Sequence, residues 1–278
     1  MSNFIPYKQH RIYCSINGTG ETVVFLHGWP TNSQLWRAQI DALAPRYRTI
    51  AIDWLGFGQS DKPDDCTYTF TQKKDILDTV LQEVLEQDES VTLVAHDVGG
   101  PPAILWASEN QKRVRQLILL NTVIFPFSTP LDKMSHFFFR VPLIREVLVS
   151  HFGLRMLMNT LSRRSNKALN SRIETILTSH ISHTSSIKLK TILEPLMIGK
   201  KNEVPLLAEA FETIAAEKYL VIATKDPLCF AHMKRLRESM PEVPSFVLDN
   251  CGHFIPIDQP QALTDILTRL LGRDDKKE

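Results

Sequence analysis

The chain has 278 residues, 43% of them apolar and 23% charged, and its 32 Lys and Arg against 31 Asp and Glu leave a net charge of +1. This profile excludes fibrous, disordered and disulfide-rich classes and gives no electrostatic basis for binding nucleic acid or an anionic membrane. At about 150 residues per domain, the length implies one large domain or a domain carrying a big insertion.

Short apolar runs at Thr22–Leu26, Thr49–Ile52, Val91–Ala95 and Leu117–Leu120 predict buried strands, because apolar side chains on consecutive positions fill both faces of a parallel sheet. Amphipathic stretches at Ser33–Leu43, Thr71–Gln87 and Pro101–Ser108 lie between them and predict crossover helices. From Val123 to Phe211 the pattern changes to helical segments broken by prolines and polar turns. They are Asp132–Phe139, Ile144–His151, Leu154–Leu161, Ser171–His180, Ser186–Leu193 and Val204–Ala216. Strands resume at Tyr219–Ala223 and Ser245–Leu248, followed by a helix at Pro260–Leu271 and a charged tail, Gly272–Glu278. The fold class is α/β, with a mostly parallel central sheet flanked by helices. Residues 1–122 and 212–278 are expected to form the core, and residues 123–211 an inserted helical cap.

Cys14, Cys66, Cys229 and Cys251 are scattered, with neither close pairing nor Cys/His metal-ligand spacing. Free thiols in a reducing compartment, and no metal, are expected. No charged segment followed by an apolar stretch opens the chain, and the most apolar segment, Leu117–Phe127, falls short of the about 20 residues a membrane span needs. The expectation is a cytoplasmic monomer or small homo-oligomer without a membrane span.

Three strand-end turns hold the chemistry. Ala95-His96-Asp97-Val98-Gly99-Gly100 follows an apolar strand, precedes a helix, and has the small-x-nucleophile-x-Gly form of a nucleophile elbow. Small flanking residues permit the tight turn, and Pro101 and Pro102 fall in the first helical turn, where a missing N–H costs little. The central residue is Asp97. The free amides and dipole at a helix N-terminus favour a carboxylate there and are expected to hold it ionised. Taken alone, Asp97 reads equally as a helix cap. The other turns decide between these readings: His27-Gly28-Trp29-Pro30 after the first apolar strand, and Asn250-Cys251-Gly252-His253-Phe254 near the end. Between them Thr224-Lys225-Asp226-Pro227 follows Tyr219–Ala223.

These turns resemble the α/β-hydrolase fold. The segments HGWPTNSQLWR (His27–Arg37), DWLGFGQSDKP (Asp53–Pro63) and AHDVGG (Ala95–Gly100), with Tyr68–Thr71, are similar to haloalkane dehalogenases and their epoxide-hydrolase relatives. The resemblance implies a catalytic triad with Asp97 as nucleophile, Asp226 as acid and His253 as base, in the chain order this fold uses. It also implies an oxyanion hole from the backbone N–H groups of Trp29 and Val98, and no cofactor. Some relatives place the acid after the strand ending near Leu120, where Asn121-Thr122 stand in this chain.

An aspartate nucleophile narrows the reaction. Attack on an acyl carbon makes a high-energy anhydride, whereas attack on a saturated carbon makes an alkyl ester, a sensible intermediate. His253, oriented by Asp226, then activates the water that cleaves the ester. Typical dehalogenases put Trp after the nucleophile and use a further Asn or cap Trp to bind the halide. Here Val98 and Trp29 stand at the first two places, and Val123–Phe211 contains no Trp. Epoxide hydrolases use cap tyrosines, but Tyr7, Tyr13, Tyr47, Tyr68 and Tyr219 all lie outside the expected cap. That cap offers His136, His151, His180 and His183 as proton donors. Trp29, Trp36, Phe125 and His136 are candidate substrate-pocket residues. The reading is a haloalkane-dehalogenase-like hydrolase acting on a small apolar molecule. Epoxide hydrolysis and lactone opening are the alternatives, and a non-catalytic binding protein is the rival class.

Overall fold

The computed structural model of the protein describes residues 2–125, 147, 150–162, 171, 175–176 and 204–272. Among these residues the strands are β1 (Ser2–Tyr7), β2 (His10–Asn17), β3 (Thr22–Leu26), β4 (Arg48–Ile52), β5 (Val91–Asp97), β6 (Val114–Thr122), β7 (Glu217–Ala223) and β8 (Ser245–Leu248). The helices are α1 (Arg37–Leu43), α2 (Phe70–Val84), α3 (Gly100–Glu109), α4 (His151–Leu161), α5 (Val204–Thr213), α6 (Phe230–Ser239), α7 (Ile255–Asp258) and α8 (Pro260–Leu271). One sheet holds the strands in the order β1-β2-β4-β3-β5-β6-β7-β8. β1/β2 and β2/β4 are antiparallel, and every other neighbouring pair is parallel.

The alternation along each central strand builds two cores. Val24 and Leu26 of β3 and Leu93 and Ala95 of β5 face one layer, which α2, α3, α5 and α6 complete with Leu77, Ile104, Phe211 and Met233. Val23, Phe25 and Val94 face the other, completed by Ile40 of α1, Met158 of α4 and Leu267 of α8. A fully buried Val, Leu or Ile contributes about 1.5–3 kcal/mol, so these doubly covered strands are the main source of stability. Local signals set the helix starts. Thr69 accepts from Gln72 N at 3.2 Å at the head of α2, and Ser150 accepts from Gly153 N at 3.0 Å at the head of α4.

The six expected strands are present, and β5 and β6 run further than expected, to Asp97 and Thr122. Two sequence features escaped the periodicity. The β1–β2 pair forms the sheet edge with Phe4 46% exposed and no continuous apolar run. In α6 the apolar side chains on the core are Phe230, Met233 and Leu236, a narrow stripe in a charged segment. The expected helices over 132–139 and 186–193 lie outside the described residues. Among the described residues, no helix is long and apolar enough to cross a membrane.

Candidate active site

The end of β5 brings Asp97 to the top of the sheet. The register with β6 shifts between His96 and Asp97, and Asp97 has φ of 52°, a left-handed backbone that few side chains tolerate. Gly99 N closes the turn on His96 O at 2.9 Å, and Thr122 Oγ1 donates to Asp97 O at 2.6 Å. The neighbouring loop comes so close that a Cβ on Gly28 would run into the Asp97 carboxylate. Only glycine permits that approach.

Two backbone amides meet the carboxylate. Trp29 N donates to Asp97 Oδ2 at 2.9 Å, and the Val98 amide lies near enough to favour the ionised carboxylate. The other oxygen, Oδ1, lies 3.9 Å from Cys229 Sγ. His253 Nε2 is 4.0 Å from Oδ2. Burial pushes the Asp97 carboxyl above the ordinary carboxylate range, and the charge of His253 and the Val98 and Trp29 amides pull it back. Burial is the largest of these influences, so the carboxyl stands above the ordinary range although the His253 charge and the two amides favour its ionised form.

On its other side His253 is tied down. Its Nδ1 donates to Asp226 Oδ2 at 2.9 Å. Asp226 Oδ1 accepts from the amides of Leu228 at 2.8 Å and Cys229 at 3.2 Å, and Oδ2 accepts from Asn121 Nδ2 at 2.6 Å. Asn121 is itself fixed, its Oδ1 accepting from Ala223 N at 2.9 Å. Burial opposes charge on both partners, but the ion pair prevails: Asp226 falls to about 2, and His253 rises to about 9. Beneath them His96 donates from Nε2 to His253 O at 2.8 Å, with ring centroids 4.8 Å apart. Complete burial lowers His96 to about 3, so it stays neutral beside a charged neighbour.

A frame of buried groups holds the loops. Asp53 accepts from Ser33 N at 2.6 Å and Gln59 N at 2.8 Å, bridging the turns after β3 and β4. Trp54 donates from N to His27 Nε2 at 3.2 Å and from Nε1 to His27 O at 2.8 Å, which fixes the loop carrying Trp29. The loop carrying His253 is seated on α4. His253 N donates to Leu161 O at 2.9 Å, and Asp258 accepts from Gly252 N at 2.8 Å and from Ser162 Oγ.

The structure therefore brings together Asp97, Asp226, His253 and the amides of Trp29 and Val98. It does not bring Trp36 to a pocket. That ring is 0% exposed, 5.1 Å from Phe25 and edge-on to His96, so it is a core residue. Phe125 packs against the first core with the Arg235 guanidinium 4.1 Å over its ring. His136 lies outside the described residues. Sequence reasoning missed the roles of Asn121, Cys229, Ser162 and Asp258. Their partners are 96–132 positions away for the bonds Asn121–Asp226, Cys229–Asp97 and Ser162–Asp258, and no local pattern signals them. Two groups have metal-ligand chemistry among the described residues: Asp226 with Cys229 and His253, and His10 with Asp65 and Cys66.

The site presents a buried carboxylate with one oxygen on a backbone amide, and an imidazole aligned by a second carboxylate. Residues 21–260 match the family model described as the alpha/beta hydrolase fold. The chain is 28% identical to a cis-3-alkyl-4-alkyloxetan-2-one decarboxylase of Shewanella oneidensis, across 97% of this chain and 89% of that one. It is 26% identical to haloalkane dehalogenase 2 of Mycobacterium bovis, across 98% and 95%. A solved haloalkane dehalogenase from Agrobacterium tumefaciens C58 superposes with a TM-score of 0.78 at 24% identity, covering 98% of this chain and 96% of that one.

Proposed function

Because the chain belongs to the α/β-hydrolase fold family, we propose that it is a cofactor-independent hydrolase that works through an alkyl ester on Asp97. One observation carries this reading. The elbow side chain is a carboxylate whose Oδ2 already rests on Trp29 N at 2.9 Å, with His253 Nε2 at 4.0 Å and Asp226 behind it at 2.9 Å. Oδ1 is the oxygen left to attack. It displaces a leaving group from a saturated carbon, giving the ester and a released anion. Water, losing its proton to His253, then adds to the ester carbonyl, and the Trp29 and Val98 amides receive the charge on the oxyanion. Collapse returns Asp97 and an alcohol.

The substrate is a small, mostly apolar molecule, bound where α4 and Ile176 of the insertion meet the loops of His253 and Asn32. Two contacts from that insertion support this: Leu161 O holds His253 N, and Asn32 Nδ2 donates to Ile176 O at 3.0 Å. Halide displacement is the first reading, since the haloalkane dehalogenases resemble this chain over nearly its whole length. Opening of a strained four-membered lactone is the second. Val98 places an apolar side chain where a halide donor is expected, and a departing carboxylate spreads its charge over two oxygens without such a donor. The Shewanella relative, named for an oxetan-2-one, supports the same reading.

The test uses His253→Ala, exposed in parallel to a terminal bromoalkane, the matched epoxide and the matched β-lactone. Intact mass should show an adduct mapping to Asp97 with one member of the panel, and bromide, diol or β-hydroxy acid formed by the unaltered protein should identify the leaving group. No adduct with any member, or an adduct elsewhere, overturns the reading.

A further inference from the structure

We propose that Asp226, Cys229 and His253 also form an inhibitory site for a thiophilic divalent cation, Zn2+ or Cd2+. An oxygen of Asp226, Sγ of Cys229 and a ring nitrogen of His253 all lie within 4.8 Å of one another. Zinc bonds of about 2.0–2.3 Å in a tetrahedron put ligand atoms about 3.4–3.6 Å apart, so contraction by about an ångström closes the site. The backbone already favours it: Cys229 N is bonded to Asp226 Oδ1 at 3.2 Å, which fixes the thiol close to the carboxylate. Thiolate, imidazole and carboxylate together select zinc-like ions over magnesium or calcium. The three residues are 1–2% exposed, so the ion would be largely dehydrated and held by protein ligands.

Charge and protons balance. The Cys229 proton leaves to solvent, so one carboxylate and one thiolate neutralise the cation, and the His253 proton moves off the ligating nitrogen. Coordination at Nδ1 replaces the proton shared with Asp226 and leaves Nε2 protonated, unable to accept a proton from water. Coordination at Nε2 occupies the accepting lone pair directly. In either case His253 loses its function as a base. The effect on turnover rests on the reading of His253 as the base, whereas the existence of the binding site does not.

The experiment adds Cd2+ to the full chain carrying Cys66→Ala, which removes the second cluster, where Cys66 Sγ lies 3.8 Å from His10 Nε2. An ultraviolet thiolate-to-cadmium band should appear and saturate at equimolar Cd2+. Turnover should fall with it, and a chelator should restore turnover. Cys229→Ala added to this background should weaken binding roughly 10–100-fold or more, as should His253→Ala, each checked for folding by circular dichroism. An active protein with no band, or a band unchanged in both variants, overturns the site. A band without loss of turnover overturns its inhibitory role, whereas a band in a protein that turns over nothing on the panel counts against the hydrolase reading instead.

Discussion

His253 Nε2 stands 4.0 Å from Asp97 Oδ2, beyond hydrogen-bonding distance, while Nδ1 is bonded to Asp226 at 2.9 Å. Burial lowers His253, but Asp226 first, then Asp97 and Asp258, raise it, and together they hold it at about 9. Esterification of Asp97, as proposed, would abolish its charge, and the imidazole would then give up its proton more readily. In the resting protein His253 should titrate near 9 by NMR. Ester hydrolysis in single turnovers should rise with pH around a distinctly lower midpoint. Identical midpoints would contradict the coupling.

Asp226→Asn removes the largest upward influence on His253. The imidazole should fall well below its present value, and hydrolysis of the ester should slow by roughly 10²–10⁴-fold. Attack by Asp97 should suffer less, so rapid-quench mass spectrometry should find the ester accumulating. Asn121→Ala acts through Asp226. It leaves a buried carboxylate short of one donor, at a cost of about 1–3 kcal/mol readable in urea unfolding, with a smaller kinetic loss.

The contributions of His253 and His96 to stability should together be greatest near the ordinary histidine value of 6.5, for opposite reasons on each side. His253 is raised to about 9, so its ion pair stabilises fully below 6.5 and is lost as pH climbs to 9. His96 is lowered to about 3, so between 6.5 and 3 the unfolded chain binds a proton that the folded one refuses, and stability falls with pH. Asp226, lowered to about 2, adds a further loss below its ordinary 3.8. Chemical denaturation across this range should show both limbs, and His96→Gln should flatten the acid limb down to pH 3.8. An unchanged acid limb would exclude His96 as its source.

Gly28→Ala tests the closeness of the two loops. Its Cβ must displace the Asp97 side chain, whose Oδ2 would lie 2.5 Å away. Overpacking of this kind costs about 1–3 kcal/mol. Activity should fall further than stability, because the displaced group is the proposed nucleophile. Unimpaired turnover would show that Asp97 has room to move.

The central parallel strands, the elbow and the positions of Asp97, Asp226 and His253 were legible in the sequence, because each is announced locally by an apolar run ending in a small-residue turn. The β1–β2 pair was not, since an edge exposed on one side mixes Phe4 and Ile5 with Pro6 and polar neighbours. Trp36 misled because an aromatic beginning a helix near a site loop has the same sequence signature whether it faces a cavity or, as here, packs on Phe25. The supports of the base were invisible for another reason. Asn121, Cys229 and Asp258 act through partners that only the closed sheet brings near.

In the proposed reaction Asp97 is alkylated and then freed by attack of water on its own carboxyl carbon. One turnover of a substrate from the panel in ¹⁸O-water, followed by peptide mass analysis, addresses it directly. The label should appear in the Asp97 carboxylate, with the product oxygen drawn from the protein. Label confined to the product, with Asp97 unlabelled, would contradict the account.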